Sequence, residues 1–229
     1  MDDSHFPNID RISVLTAAIL LAYTLAGFIN VPGSEFSVQM PGLYLAFNFN
    51  AQFFISLLAA GLTATGTDWL VREHPSFDGK YTIQHWLLPT LTAWVIGLVL
   101  FQQPTGFAWW VIFGVGGITL VLVLMAEYIV IDPNDALQIP ATIGITALSF
   151  ALLLILMISI RFNESRLFIL VPTITIAAGL TSLRTLYLRL HGRWAYAQTV
   201  VIAIIIGQFS AALNYLPIDP ISFGLFLLG

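Results

Sequence analysis

Hydrophobic residues in this chain are grouped in long runs, which short polar segments separate. A run of about 20 apolar residues is long enough to cross the hydrocarbon layer of a membrane as an α-helix. Seven runs approach or reach this length: Ile12–Asn30, Leu43–Gly66, Ile83–Leu100, Phe107–Ile131, Ala141–Ile160, Leu167–Tyr187 and Ala195–Tyr215. Another apolar segment begins at Ile221. The pattern predicts an all-α protein, a polytopic transmembrane bundle of seven complete spans and the start of an eighth.

The segments between the runs contain residues that end helices or avoid lipid. Pro and Gly occur in VPGSEF, QQPTG, DPNDALQIP and LPIDP, and charged residues occur in RFNESR and RLHGRW. Polar residues alternate at a spacing of two near the start of the second run, at Asn48, Asn50 and Gln52, so they do not share one helical face. We expect this stretch to be irregular at the membrane interface; the alternative is that its polar groups satisfy neighbours inside the bundle.

Composition supports a membrane protein and excludes several other classes. Of the 229 residues, 58% are hydrophobic and 9% are charged, whereas soluble domains carry about 25% charged residues. The small net charge of −4 argues against nucleic-acid partners. The acidic start, MDDSHFPNID, is unlike a secretory signal. We interpret residues 1–229 as one membrane domain and expect the protein to continue past Gly229, because ISFGLFLLG begins a span without completing it.

Lysine and arginine predict the orientation of the spans, because short cytoplasmic loops are enriched in both. With alternating spans, the N-terminal side collects six: Arg11, Arg72, Lys80, Arg184, Arg189 and Arg193. The opposite side collects two, Arg161 and Arg166. We therefore expect a multi-pass protein of the cytoplasmic (inner) membrane with a cytoplasmic N-terminus. Trp109 and Trp110 fall at a predicted outer end, where an interfacial aromatic belt is expected.

Few ionisable residues fall inside the spans, and such residues are functional candidates because they are costly to keep in lipid. Glu127, Arg184 and Asp68 all lie near span ends on the predicted cytoplasmic side. We expect Glu127 and Arg184 to lie at one depth and to be joined. Two interpretations remain open: an interfacial layer of ion pairs, or a polar pocket for a lipid headgroup, a quinone or an ion.

The remaining site candidates are a histidine and two arginines. His85 lies near the start of the third span, where it is either a hydrogen-bonded boundary residue or a weak candidate ligand for haem or a pigment. Arg189 and Arg193 are placed to contact lipid headgroups. The chain has no HExxH, GxSxG or Walker motif and no cysteine. We therefore expect no catalytic residue and no metal site, and we favour a protein that is not an enzyme.

Five stretches together carry a family resemblance: GTDWLVREHP, TIQHWLLPTLTAWVIG, AEYIVIDP, SLRTLYLRLHGRWA and FGLFLLG. They resemble uncharacterised polytopic membrane proteins of the Chloroflexota, from about Pro41 to the last residue. The motifs carry no known chemistry, so the resemblance implies no role for any residue. Some of these bacteria are phototrophs, which suggests by analogy a subunit of a photosynthetic reaction-centre or antenna assembly. That implies contact with bacteriochlorophyll, carotenoid or quinone.

Two functions of different classes follow from these patterns. The first is a non-catalytic accessory or structural subunit of a larger membrane complex, with membrane lipids and other membrane subunits as partners. Its partner face is expected to be rich in small residues: Ala59, Ala60, Gly61 and Thr65 on the second span, and Gly207, Ser210 and Ala211 on the seventh. The alternative is a small-molecule or ion transporter or channel with a polar pocket on the cytoplasmic side. A membrane-embedded lipid-modifying enzyme ranks third.

Overall fold

The computed structural model describes residues 9–28, 34–40, 43–49, 51–77, 82–133, 135–162, 167–190 and 192–228. Within these ranges the chain forms eight helices: α1 (Ile9–Phe28), α2 (Ala51–Val71), α3 (Ile83–Phe101), α4 (Phe107–Ile129), α5 (Gln138–Phe162), α6 (Leu167–Arg189), α7 (Tyr196–Asn214) and α8 (Pro220–Leu228). Seven of these, α1 to α7, are long and apolar enough to cross a membrane. The predicted helical, multi-pass bundle is confirmed.

The predicted second span, Leu43–Gly66, is wrong at both ends. Two strands, β1 (Ser34–Met40) and β2 (Leu43–Phe49), form an antiparallel hairpin between α1 and α2. A spacing of two is the period of a strand and not of a helix, but of the three alternating polar residues only Asn48 lies in β2. Asn50 lies outside the described residues, and Gln52 lies in the first turn of α2. The expectation of an irregular stretch is therefore wrong for Asn48 and Gln52. The helix runs on to Val71, which places Asp68 in its last turn.

Other helix ends lie close to the predicted ones. The fifth helix begins three residues before the predicted Ala141, with Pro140 in its first turn, where the missing N–H has no helical partner to lose. The short α8 begins at Pro220, next to the predicted Ile221. Its start is capped by Asp219, whose Oδ2 accepts a hydrogen bond from the Ser222 backbone N–H at 2.9 Å.

Helix α3 lies at the centre of the bundle. In the apolar stretch of α3 that is long enough to cross a membrane, 67% of the residues are buried, against 28–44% in the other six spans. It packs against α1, α2, α4, α5 and α6. Gly97 brings α2 and α3 close together, because a Cβ at this position would lie 2.6 Å from Ser56 Cβ. The outer helices keep wide apolar faces for lipid.

Two predictions about surface residues are wrong for some of their members, although Trp110, Gly61 and Thr65 are exposed as expected. Trp109 is 1% exposed and stacks on Phe113 with ring centroids 5.1 Å apart, so it belongs to the core and not to an interfacial belt. Most of the small residues expected to form a partner face are used within the chain. Ala59 and Ala60 are buried, and a Cβ at Gly207 would collide with Thr175 on α6. Close helix approach is therefore needed inside this bundle.

Candidate functional site: a buried ion pair beside a cavity

Glu127 and Arg184 form a buried ion pair near the end of the bundle at which α1 begins, hereafter the N-terminal end. Arg184 Nε donates to Glu127 Oε1 at 2.9 Å, and Arg184 Nη2 donates to Glu127 Oε2. Glu127 is 0% exposed and Arg184 is 1% exposed. Two parallel N–H···O bonds make this a bidentate pair, the strong form of a charged hydrogen bond. The expected contact between the two residues is confirmed.

The central helix brings a third side chain to the pair. His85, on the first turn of α3, has its Nδ1 at 3.2 Å from Glu127 Oε2 and is buried. An ionised carboxylate accepts hydrogen bonds and donates none, so we assign the Nδ1 proton to His85. The sequence placed His85 at the correct depth but gave no sign of this contact. We call Glu127, Arg184 and His85 the buried triad.

A cavity of about 460 Å³ opens beside the buried triad. His85 and Arg184 line it, together with apolar residues of α6 and of the segment after α4. Its other polar lining residues are Ser76, Gln84, Gln138 and Tyr187. Although shielded from solvent, Arg184 Nη1 has no hydrogen-bond partner among the described residues. The site therefore combines a fixed carboxylate, a partly unpaired guanidinium and an open volume.

Two loops are joined at the edge of this cavity. The Ser76 hydroxyl donates to Asp132 Oδ2 at 3.3 Å, and the Ser76 backbone N–H donates to His74 Nδ1 at 3.1 Å. The His74 ring packs against Tyr128 with centroids 4.5 Å apart. Burial lowers the pKa of His74. The neutral ring is the form that can accept at Nδ1, so the contacts and the burial favour the same state.

Asp68 does not belong to the buried triad. Arg72 Nε donates to Asp68 Oδ2 at 2.7 Å, and the Thr82 hydroxyl donates to Asp68 Oδ1. The carboxylate lines a separate groove of about 440 Å³ between α2 and α3. The three acidic and basic candidates thus divide into a buried pair and a half-exposed residue with its own partners.

The remaining candidates lie outside the triad. Arg189 and Arg193 are exposed, at the end of α6 and in the loop that follows. Lipid contact by these two arginines stays a prediction, as does haem or pigment ligation by His85. Within the ranges that the structure describes, no three His, Asp or Glu side chains are grouped as a metal ion would require.

Fold and site together define a multi-pass helical membrane protein with a polar site buried at one end. The chain belongs to the family described as "Protein of unknown function (DUF5656)", whose family model matches residues 31–229. The match covers β1 to α8 and all three members of the buried triad. No curated protein and no solved structure matches the chain. The family description assigns no activity.

Proposed function

We propose that this protein is a membrane-embedded binding protein of the transporter class, and that its ligand is a small polar molecule held in the cavity beside the buried triad. The observation that carries the proposal is the fully buried Glu127–Arg184 pair next to a volume of about 460 Å³. Cavities of roughly 300–1,000 Å³ with a few convergent polar groups are typical of small-molecule sites.

A purely structural role explains the ion pair less well. Removing two charges from water is expensive, and well-packed apolar residues often serve equally well or better in a protein interior. In lipid the same cost makes ionisable residues functional candidates. The unpartnered Arg184 Nη1 adds to this argument, because a pair kept only for packing gains nothing from an unused donor.

The proposal also places the cavity on one side of the membrane. Arg72, Arg189 and Arg193 all lie at the N-terminal end of the bundle, the end at which the cavity lies. The positive-inside rule supports a cytoplasmic position for this end, in the inner membrane. The cavity would then be the cytoplasmic binding pocket of a transport protein.

The test is ligand-dependent thermal stabilisation of the purified protein in detergent. We would measure the melting temperature with panels of small anionic, cationic and neutral polar solutes. A variant that fills the cavity, Gln138→Trp, is matched by Gln198→Trp on the exposed face of α7. We expect one solute class to raise the melting temperature of the wild type and of Gln198→Trp but not of Gln138→Trp. If no solute of any class does so, the proposal fails.

The second candidate is the non-catalytic accessory subunit of a larger membrane assembly. Helix α7 favours the accessory subunit, because only 28% of the residues in its apolar stretch are buried. Val201, Ile204 and Ile205 form part of its exposed apolar face. Such a face fits lipid or another subunit. The resemblance to Chloroflexota proteins adds, as part of this proposal, a photosynthetic complex with bacteriochlorophyll, carotenoid or quinone contacts.

Isolation from native membranes in mild detergent separates the two candidates. Stable association with a pigmented or redox complex would support the accessory subunit. A particle that contains this chain alone, and that binds a solute in the cavity, would support the transporter-class binding protein.

A further inference from the structure

We propose that two copies of this chain associate in the membrane through α7, and that the Gln208 side chains of the two copies pair with each other. The inference goes beyond the proposed function, because it concerns the face of α7 that points away from the bundle and requires no ligand in the cavity. It assigns a second copy of the chain to a face that the accessory-subunit candidate leaves to a different subunit.

Helix α7 lies at the edge of the bundle, where it packs against α6 and α8. Its buried side includes Ala203, Gly207 and Ser210. The opposite side presents exposed residues at alternating spacings of four and three, namely Val201, Ile205, Gln208 and Ala212. We call these four residues the α7 seam. Their spacing keeps one stripe of a helix turned towards a parallel neighbour over several turns, as in a left-handed coiled coil.

Gln208 is the polar member of the α7 seam, and it lies well inside the span. The six residues from Gln208 to Asn214 place it about 9 Å from the nearer end of the helix. Every other Asn or Gln on α1 to α7 lies in the first or last turn of its helix. The exposed Gln208 side chain forms no hydrogen bond within the part of the chain that the structure describes. Its amide therefore faces hydrocarbon without a partner.

An unpartnered amide at this depth favours a partner helix over lipid. Hydrocarbon offers no hydrogen bond to an amide, so the exposed position of Gln208 is unfavourable for a single copy. Lys and Arg reach the headgroups on long stems, which Gln lacks. Apolar side chains gain little by leaving lipid for another helix, whereas Gln side chains form hydrogen bonds between membrane helices. The polar residue, and not the apolar surface around it, is thus the sign of an interface.

A second copy supplies the missing group at the correct depth. Two copies with the same orientation in the membrane have parallel α7 helices, and a two-fold axis along the membrane normal places equivalent residues at equal depth. An amide both donates and accepts, so Nε2 of each Gln208 can donate to Oε1 of the other. One polar residue in an otherwise apolar seam also fixes the register of a helix pair. A different partner protein needs a polar side chain that happens to match this depth.

Disulfide crosslinking of the full chain in membranes tests the interface, because the chain has no cysteine of its own. Val201→Cys lies in the α7 seam. Val200→Cys is the matched control, since the two valines are 55% and 54% exposed and differ by about 100° around the helix. We expect oxidation to join Val201→Cys chains in pairs and to leave Val200→Cys chains single, because a disulfide requires Cα atoms within about 7 Å. If Val201→Cys is not joined more than Val200→Cys, the seam is not the interface.

The contribution of Gln208 is measured by energy transfer between protein copies in phosphatidylcholine liposomes, with dyes attached at Thr105→Cys. Gln208→Leu should weaken association by about tenfold, whereas Gln208→Asn keeps an amide and should lose less. The melting temperature of Gln208→Leu, measured in detergent at a dilution where the wild type is monomeric, should not fall, because Gln208 has no partner within its own chain. A lower melting temperature would assign Gln208 to the fold of the single chain and overturn the proposal.

The remaining outcomes separate this inference from the proposed function. If Gln208→Leu associates as the wild type does, or if Gln208→Asn associates as weakly as Gln208→Leu, the amide does not hold the pair. Joining of Val201→Cys to a different protein in native membranes overturns the second copy and supports the accessory-subunit candidate. Solute binding in the cavity tests the proposed function and has no bearing on the α7 seam, so either can fail alone.

Discussion

At the scale of single residues, the carboxylate of Glu127 on α4 contacts side chains of two other helices, α3 and α6. It accepts from Arg184 on α6 and faces His85 on α3, while its own backbone belongs to α4. Glu127 and Arg184 each offset part of the free-energy cost of removing the other's charge from water. If one partner is removed, the other is left as an unpaired buried charge, which typically costs about 3–5 kcal/mol.

Glu127→Gln should therefore lower the free energy of unfolding in detergent by about 3 kcal/mol. The paired replacement Glu127→Leu with Arg184→Met should recover most of this loss, because it removes both charges and keeps similar volumes. The matched control is Asp68→Asn, whose pair with Arg72 is exposed to solvent, so that screening by water leaves it little effect on stability. A double variant as unstable as Glu127→Gln would show that charge pairing is not the cause.

At the scale of elements, α3 holds the site together because α4 and α6 both pack against it. The close approach of α2 on another face of α3 depends on Gly97, where a Cβ would lie 3.2 Å from the Ser56 backbone Cα as well as near its side chain. A backbone atom cannot move aside as a flexible side chain can. Small residues of this kind let helices pack closely in lipid.

Gly97→Ala should consequently destabilise the protein by about 1–3 kcal/mol, the usual cost of overpacking. Gly114→Ala is the matched control on α4, since a Cβ there meets none of the described residues within 4 Å. The control should lose no stability, because alanine is the better helix former. Unfolding in detergent measures both, and equal losses would refute the argument from close packing.

The stability of the N-terminal cap of α8 should depend on pH. Hydrogen bonds from the side chain and backbone N–H of Ser222 lower the pKa of Asp219 below its unfolded value. The ionised carboxylate therefore stabilises the cap at pH values above the unfolded pKa, about 3.9, and this contribution is lost as the pH falls through the lower folded pKa.

Hydrogen-exchange protection of the Ser222 and Phe223 amides should report that loss. Both amides bond to Asp219, one to its side chain and one to its backbone carbonyl. Asp219→Asn should flatten the acid dependence, because the amide does not titrate. Identical acid profiles for the variant and the wild type would assign the pH dependence to another group.

At the scale of the whole molecule, the seven spans alternate so that both cavities described above lie at the N-terminal end. Positive charge is concentrated at the same end, at Arg11, Arg72 and Arg193. At the other end, Arg161 is tied down inside the chain. It donates to Asn214 Oδ1 at 2.6 Å and to the Leu216 carbonyl oxygen at 3.2 Å.

Single cysteines test the orientation cleanly because the chain has none of its own. Arg193→Cys and Thr105→Cys lie in exposed loops at opposite ends of the bundle. In intact cells, an impermeant maleimide should label Thr105→Cys and should reach Arg193→Cys only after the cells are opened. Labelling of both positions from the same side would contradict the alternating topology, and the reverse pattern would invert the proposed orientation.

The sequence by itself determined the number of spans, most of their ends and the depth at which the charged residues lie. These follow from local properties, because a helix crosses lipid when about 20 successive residues are apolar. The depth of Glu127 and Arg184 follows in turn from their places near span ends. The one misplaced span, at Leu43, carried a strand period that its overall hydrophobicity concealed.

Only the tertiary structure decided which residues meet. Glu127 and Arg184 are 57 positions apart, and His85 is 42 positions from Glu127. Their contacts depend on how α4 and α6 pack around α3, which no local pattern specifies. The same packing buries Trp109 and separates Asp68 from the triad. Hydrophobicity fixes how deep a residue lies in a membrane protein, whereas the neighbour it finds at that depth depends on the arrangement of all the helices.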